Sequence, residues 1–267
     1  MNLIEQPKVY LVAKTQLVHE GLARYLEDIG SPDWQADPDV SDAENLVEAA
    51  GRMCYRSWQP YDPEKPEATN PNVSRVRQGN ESYLANVLKS GHGSVLEHVN
   101  MTFICRHVSR VFTHELVRHR AGMAYSQESL RYVRLDDLSF WLPEAAKNNP
   151  AAREKFESVI DFLENTQKEL AEIFGIQDSS DFSEKKHLTS MFRRLAPIGL
   201  GTSIMVTGNL RAWRHIIGMR TSPAAEEEIR IVAGRIAEIC KQEYPNIFQD
   251  MELDPESCTW QFTHPKV

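Results

Sequence analysis

Cysteine is scarce and scattered in this chain of 267 residues, where Cys54, Cys105, Cys240 and Cys258 form no Cys-x-x-Cys pair. Neither a disulfide framework nor a thiolate zinc site fits that spacing, and the four are expected to be reduced, mostly buried small hydrophobes. No run of eighteen apolar residues is present, and Met1-Asn2-Leu3-Ile4-Glu5-Gln6 lacks the basic-then-apolar order of a secretory signal. A cytoplasmic protein with no membrane partner is expected. Glycine-rich phosphate loops are also missing. There is no Gly-x-x-x-x-Gly-Lys-Ser/Thr run, and Gly199-Leu200-Gly201 has no third glycine and no strand-then-helix flanks. A nucleotide cofactor would have to be held by side chains. Histidine spacing argues against a metal: His114 and His119 are five apart, where a zinc-protease helix needs four, and His92 and His98 have no metal spacing either.

What the chain has is arginine in two islands. Residues 106–134 hold six arginines against Glu115 and Glu128, and residues 190–220 hold five with no Lys, Asp or Glu. The net charge of −8 thus divides into +4, +5 and −17 for the remainder. An acidic chain has little general affinity for nucleic acid or anionic membranes, yet two islands of pure arginine imply a local anion site. With 41% apolar residues the chain can bury a large core, and one compact domain over residues 1–267 is expected.

Periodicity predicts a helix-rich α+β fold with a few antiparallel strands. Val9–Ala13 and Ser203–Thr207 read as strands, and Val99, Met101, Phe103 and Cys105 alternate with polar neighbours as on a half-buried strand. Ser41-Asp42-Ala43-Glu44 is a capping box, Gly91 suits a helix C-terminus, and Asn209 suits the N-cap of a helix carrying Arg211, Trp213, His215 and Arg220. Ser222-Pro223 is expected to open the last long helix. Residues 56–80, with Pro60, Pro63, Pro66 and Pro71, read as a surface loop.

The densest chemistry lies in Arg118-His119-Arg120 and the following Tyr125-Ser126-Gln127-Glu128-Ser129-Leu130-Arg131-Tyr132. Arginine grips phosphate and carboxylate through two parallel hydrogen bonds, so this stretch reads as a site for a polyanionic small molecule. Ser129 has no His/Asp partner at a readable spacing and suits hydrogen bonding better than nucleophilic attack. Arg106, Arg110 and Arg134 are expected in salt bridges, whereas acid-free surroundings favour ligand contact for Arg118, Arg120, Arg131, Arg193, Arg211 and Arg220.

These stretches together resemble the flavin-dependent thymidylate synthases. The resemblance runs through Gly91-His92, Ser94-Val95-Leu96-Glu97-His98, the Arg118–Tyr132 segment, Arg193-Arg194-Leu195-Ala196-Pro197, Gly208–His215 and Met219-Arg220, covering about residues 80–245. It implies transfer of a one-carbon unit from methylenetetrahydrofolate to dUMP, with FAD reduced by NADPH supplying the hydride. It also implies a homotetramer with a central antiparallel sheet flanked by helices. By resemblance, Arg118, His119, Arg120, Gln127, Asn209, Arg211 and His215 contact FAD, with Asn100 a further candidate. Glu115, Arg118, Gln127, Glu128, Ser129, Leu130, Arg131 and Arg193 then bind dUMP. Arg220 polarises the uracil ring, and His98 lies near the folate side of the flavin. This sequence places eight residues between Arg120 and Ser129 where the family signature has seven, and Gly122-Met123 is the expected point of insertion. It has Glu115 where many relatives have glutamine, and its segment 56–80 is longer than the family norm. Two other readings compete: a flavoprotein of the same fold with another reductive reaction, and a non-enzymatic RNA- or DNA-binding protein, against which the −17 balance and the lysine-free islands weigh.

Overall fold

The computed structural model describes residues 2–130, 139–176 and 181–267. Its strands are β1 (Asn2–Ile4), β2 (Lys8–Lys14), β3 (Asn100–Ser109), β4 (Met123–Gln127), β5 (Ser139–Trp141), β6 (Gly201–Asn209), β7 (Met251–Asp254) and β8 (Thr259–Phe262). Its helices are α1 (His19–Asp28), α2 (Asp42–Tyr55), α3 (Asn80–Lys89), α4 (Arg110–Leu116), α5 (Glu144–Lys147), α6 (Pro150–Ile173), α7 (Phe182–Phe192), α8 (Leu210–Arg220) and α9 (Glu227–Glu243). No described helix is long and apolar enough to cross a membrane.

An antiparallel sheet of order β2-β3-β6-β4 forms the centre. Strand alternation turns Met101, Phe103 and Cys105 of β3 and Ile204 and Val206 of β6 into one core, where Trp213 of α8 meets Phe103 edge-on at 5.1 Å. Ile229, Val232, Ile236 and Cys240 recur at helical spacing along α9 and join the same core.

Each central strand runs straight into a helix through a side-chain cap. Ser109 ends β3 and its Oγ accepts from Phe112 N at the start of α4; Asn209 ends β6 and its Oδ1 accepts from Ala212 N at 2.8 Å, as its position before an apolar-periodic run predicts. The Ser41/Glu44 capping box on α2 and the positive φ of Gly91 after α3 also match the sequence reading.

Four expectations are corrected. The last long helix starts at Glu227, not at Ser222-Pro223, because the Glu226 carboxylate accepts from the Glu228 and Ile229 amides while 222–225 closes a turn. Cys54 and Cys258 are exposed; Cys105 and Cys240 are buried. Within the segment 56–80 there is neither helix nor strand before Asn80 opens α3, but Trp58 and Ala68 are buried in a small cluster with Leu26 and Ala49, so apolar burial anchors what proline content suggests is surface. Pairing is not wholly antiparallel, since β1 and β5 pair parallel.

Candidate active site

A cavity of about 520 Å³ opens where the turn after α4 meets the start of α8. Arg118, His119, Arg120 and Gly122 line one wall, Asn209, Arg211 and His215 the other, with Glu97 and the segment around Pro265 and Val267 at the rim. Two features of the chain force this convergence. Strand β4 pairs with β6 so that Met123 lies opposite Gly208, and Asn209 N donates to Gly122 O at 3.0 Å, which ties the Arg-His-Arg turn to the α8 cap. Gly122 sits at φ 70°, where it turns the chain into β4 without a register shift.

Arg118 and Arg120 have no ion pair or side-chain hydrogen bond among the described residues. Arg211, by contrast, pairs with Glu97 at 2.5 Å, and its Nε donates to Val267 O at 3.3 Å. Two guanidiniums lacking a carboxylate, beside a helix N-terminus, fit an anionic group such as a pyrophosphate.

Behind this wall Arg220, the last residue of α8, donates Nε–H to His119 Nε2 at 2.9 Å and Nη1–H to the Glu115 carboxylate at 2.9 Å. Burial, then the neighbouring Arg220 and His215, lower the His119 pKa to about 4. A guanidinium N–H only donates, so Nε2 is the acceptor and the proton of neutral His119 sits on Nδ1. The His119 and His215 rings meet at 5.9 Å, joining the Arg220 group to the cavity.

Residues 38–246 match the family model of thymidylate synthase complementing proteins. The chain is 37% identical over 223 residues to a flavin-dependent thymidylate synthase of Corynebacterium diphtheriae, covering 82% of this chain and 83% of that protein. It is also 37% identical over 258 residues to the enzyme so named from Mycobacteroides abscessus, covering 92% and 90% of the two chains. The chain belongs to the flavin-dependent thymidylate synthase family. Membership supports an enzyme of this general type, acting as a flavoprotein in nucleotide biosynthesis.

The family's expected nucleotide loop begins one strand away. Gln127, at the end of β4, donates from Nε2 to Thr113 Oγ1 at 3.2 Å, so it faces α4. The Glu128 carboxylate accepts from Ser203 N at 2.9 Å and thereby closes the end of the β4–β6 pairing. Its backbone oxygen accepts from Arg110 Nη2 at 3.0 Å, and Arg110, expected in a salt bridge, instead has a buried Nε with no partner. Ser129 and Leu130 follow directly and are half-buried, whereas Arg131 lies outside the described residues, as does Arg134. Arg193 is exposed at the end of α7, close enough to Arg110 to lower its pKa after the larger effect of burial. His98 and Asn100 are exposed and do not line the cation cavity.

Sequence reasoning did not assign Glu97, the segment 265–267, or Arg214 to this site. Glu97 stood within a matched motif, but its pairing with Arg211 spans 114 residues and left no local signal. Arg214 belongs to the second arginine island, yet it is buried in a two-pronged pair with Asp250 at 2.8 and 2.9 Å. Among the described residues, no group of three or more His, Cys, Asp and Glu is placed to hold a metal ion.

Proposed function

We propose that this protein makes dTMP from dUMP, taking the one-carbon unit from methylenetetrahydrofolate and reducing equivalents from NADPH through FAD. The convergence of Arg118, Arg120, Arg211 and Asn209 on one cavity that borders the Arg220–His119 pair carries this reading. Bound FAD supplies the hydride that completes the methyl group. The chain supplies charge and position. Arg118 and Arg120 offer a pyrophosphate two guanidiniums that pair with no carboxylate among the described residues, and the Asn209 cap aims the first amides of α8 at the same cavity.

Arg220 is the group we assign to the uracil ring. Its Nε donates to His119, its Nη1 to the Glu115 carboxylate and its Nη2, at 3.5 Å, to the Glu115 carbonyl, so a planar, permanently charged group is held in one orientation. A guanidinium at the pyrimidine edge stabilises charge that develops when the ring is activated. Among the described residues, no cysteine lines the cation cavity. Gln127, Glu128, Ser129, Leu130 and Arg193 bind dUMP in this reading, together with Arg131; His98 and Asn100, which lie outside the cation cavity, keep their proposed places near the folate side of the flavin and on FAD.

The family homotetramer is part of the proposal. Phe156, Val159 and Phe162 leave an apolar strip exposed along α6, the kind of surface that a second copy would cover. The deciding experiment is spectral and isotopic. The purified protein should be yellow, bleach under NADPH and dUMP without oxygen, and transfer labelled carbon from methylenetetrahydrofolate to dUMP. Bleaching without transfer would favour another reductive reaction on the same fold.

A further inference from the structure

A second and larger cavity, of about 660 Å³, lies across the Gly91–Gly93 turn from the first. His92 lines it, while a Cβ on the adjacent Gly93 would run into Arg211 and Val267 of the cation cavity. The two spaces are therefore neighbours. Tyr55 and His92 form an aromatic wall, with ring centroids 5.3 Å apart and the Tyr55 hydroxyl 3.0 Å from His92 Nε2. Asn72, Arg75 and Arg77 from the proline-rich segment also line it, and among the described residues no acidic side chain does.

Neither Arg75 nor Arg77 uses its guanidinium in an ion pair or side-chain hydrogen bond among the described residues, although Arg77 O accepts from Arg52 at 2.8 Å. That backbone bond anchors the segment to a buried residue, because Arg52 is also paired with Glu48 at 2.6 Å. The loop thus presents two unneutralised cations from a tethered backbone. The chemistry selected is an aromatic body with carboxylates at one end, in a volume suited to a small organic ligand.

We propose that this cavity receives the glutamyl end of the folate co-substrate, and that Arg75 and Arg77 make the protein favour polyglutamylated folate over the monoglutamate. The inference rests on the proposed function, since it presumes a folate. The proline-rich segment thereby acquires a role in specificity. Even the monoglutamate has an α- and a γ-carboxylate, so the preference comes from the further carboxylates of the longer tail; near the surface each such contact contributes little, and the preference should reach about tenfold at most in kcat/KM.

The test compares methylenetetrahydrofolate carrying one and five glutamates, in the full-length flavin-loaded protein and in the Arg75→Ser/Arg77→Ser double variant, with melting temperature as a check on folding. The expected result is a pentaglutamate preference that shrinks with added salt and falls to near unity in the double variant. Charge reversal by Arg75→Glu/Arg77→Glu should invert it. Equal efficiency with both folates in the unaltered protein, or a preference that survives the double variant, overturns the inference while dTMP formation stands. A rise confined to the KM for NADPH also overturns it, because the arginines would then read a phosphate. Failure to form dTMP with either folate sinks the functional reading and this inference together.

Discussion

Arg220 donates its Nε–H to Nε2 of His119 at 2.9 Å, so a permanently charged residue is oriented by a histidine held neutral. Protonating His119 would place a second donor where an acceptor is needed. The bond and the neutral state therefore depend on each other.

Replacing Arg220 by lysine keeps the charge but cannot bridge His119 and Glu115 with a planar group. Turnover should fall by roughly 10²- to 10³-fold, the range seen when an aligned charge-stabilising donor is lost, while FAD stays bound. Steady-state dTMP formation and the flavin absorbance of the same sample check this. Parallel loss of flavin would break the division of roles.

Arg120→Ala removes a guanidinium with no partner among the described residues, so its effect should appear in ligand retention more than in folding. FAD affinity is expected to drop by about 10- to 100-fold, the worth of a charge-assisted hydrogen bond. Titration of the apoprotein with FAD measures it, and an unchanged affinity would remove Arg120 from the site.

Gly122 combines φ 70° with a close approach to Asn209, whose amide a Cβ would overlap. Gly122→Ala should cost about 1–2 kcal/mol from the left-handed backbone alone and disturb the α8 cap in addition. Lower melting temperature with weakened FAD binding is the expected outcome; a variant that melts and binds as the parent does would contradict the geometry.

Glu228 is fully buried and accepts from Ser109 N at 2.6 Å and from the Ser109 hydroxyl, which fixes the start of α4. Burial raises its pKa to about 7 from the ordinary 4.5, with Glu226 adding to the rise and Ser109 and Lys147 opposing it. Above pH 4.5 the unfolded chain releases this proton while the folded one retains it, so stability falls as pH rises from 4.5 through 7, by an amount on the order of 3 kcal/mol. His119 has the opposite slope: its folded pKa lies below the unfolded 6.5, so its contribution is present above 6.5 and lost as pH falls toward 4. Glu228→Gln should remove the decline between pH 4.5 and 7 and leave the acid-side loss. Urea melts at several pH values decide this, and a decline of equal size in the variant would exclude Glu228 as its source.

FAD that binds only the folded state must raise the melting temperature. At a hundredfold excess over Kd the gain is about 2.7 kcal/mol, which corresponds to several degrees for a chain of this size. Identical melting curves with and without FAD would oppose a cofactor site at the arginines.

Local signals were readable wherever they act over one or two turns. Asn209 before Leu210, Ser41 with Glu44, and the alternation of Met101, Phe103 and Cys105 each fix a structure within a few residues, and each appears as expected. Arg118, Arg120 and Arg211 of the two arginine islands line one cavity. Composition was less informative about fate. Arg211 and Arg220 looked free of acids in the sequence, yet Glu97 and Glu115 reach them from 114 and 105 residues away. Arg214, from the same island, is committed to Asp250 in the core.

The sequence by itself determined the helix caps, the alternation of the central strands, the family and the supply of anion-binding groups, because each is written in residue type and short spacing. Tertiary structure alone decided which arginines are left for a ligand, and that Glu228 holds α4 and His119 is held neutral. Those outcomes depend on burial and on carboxylates brought in from distant parts of the chain. Desolvation and charge pairing act through space, and chain order does not record them.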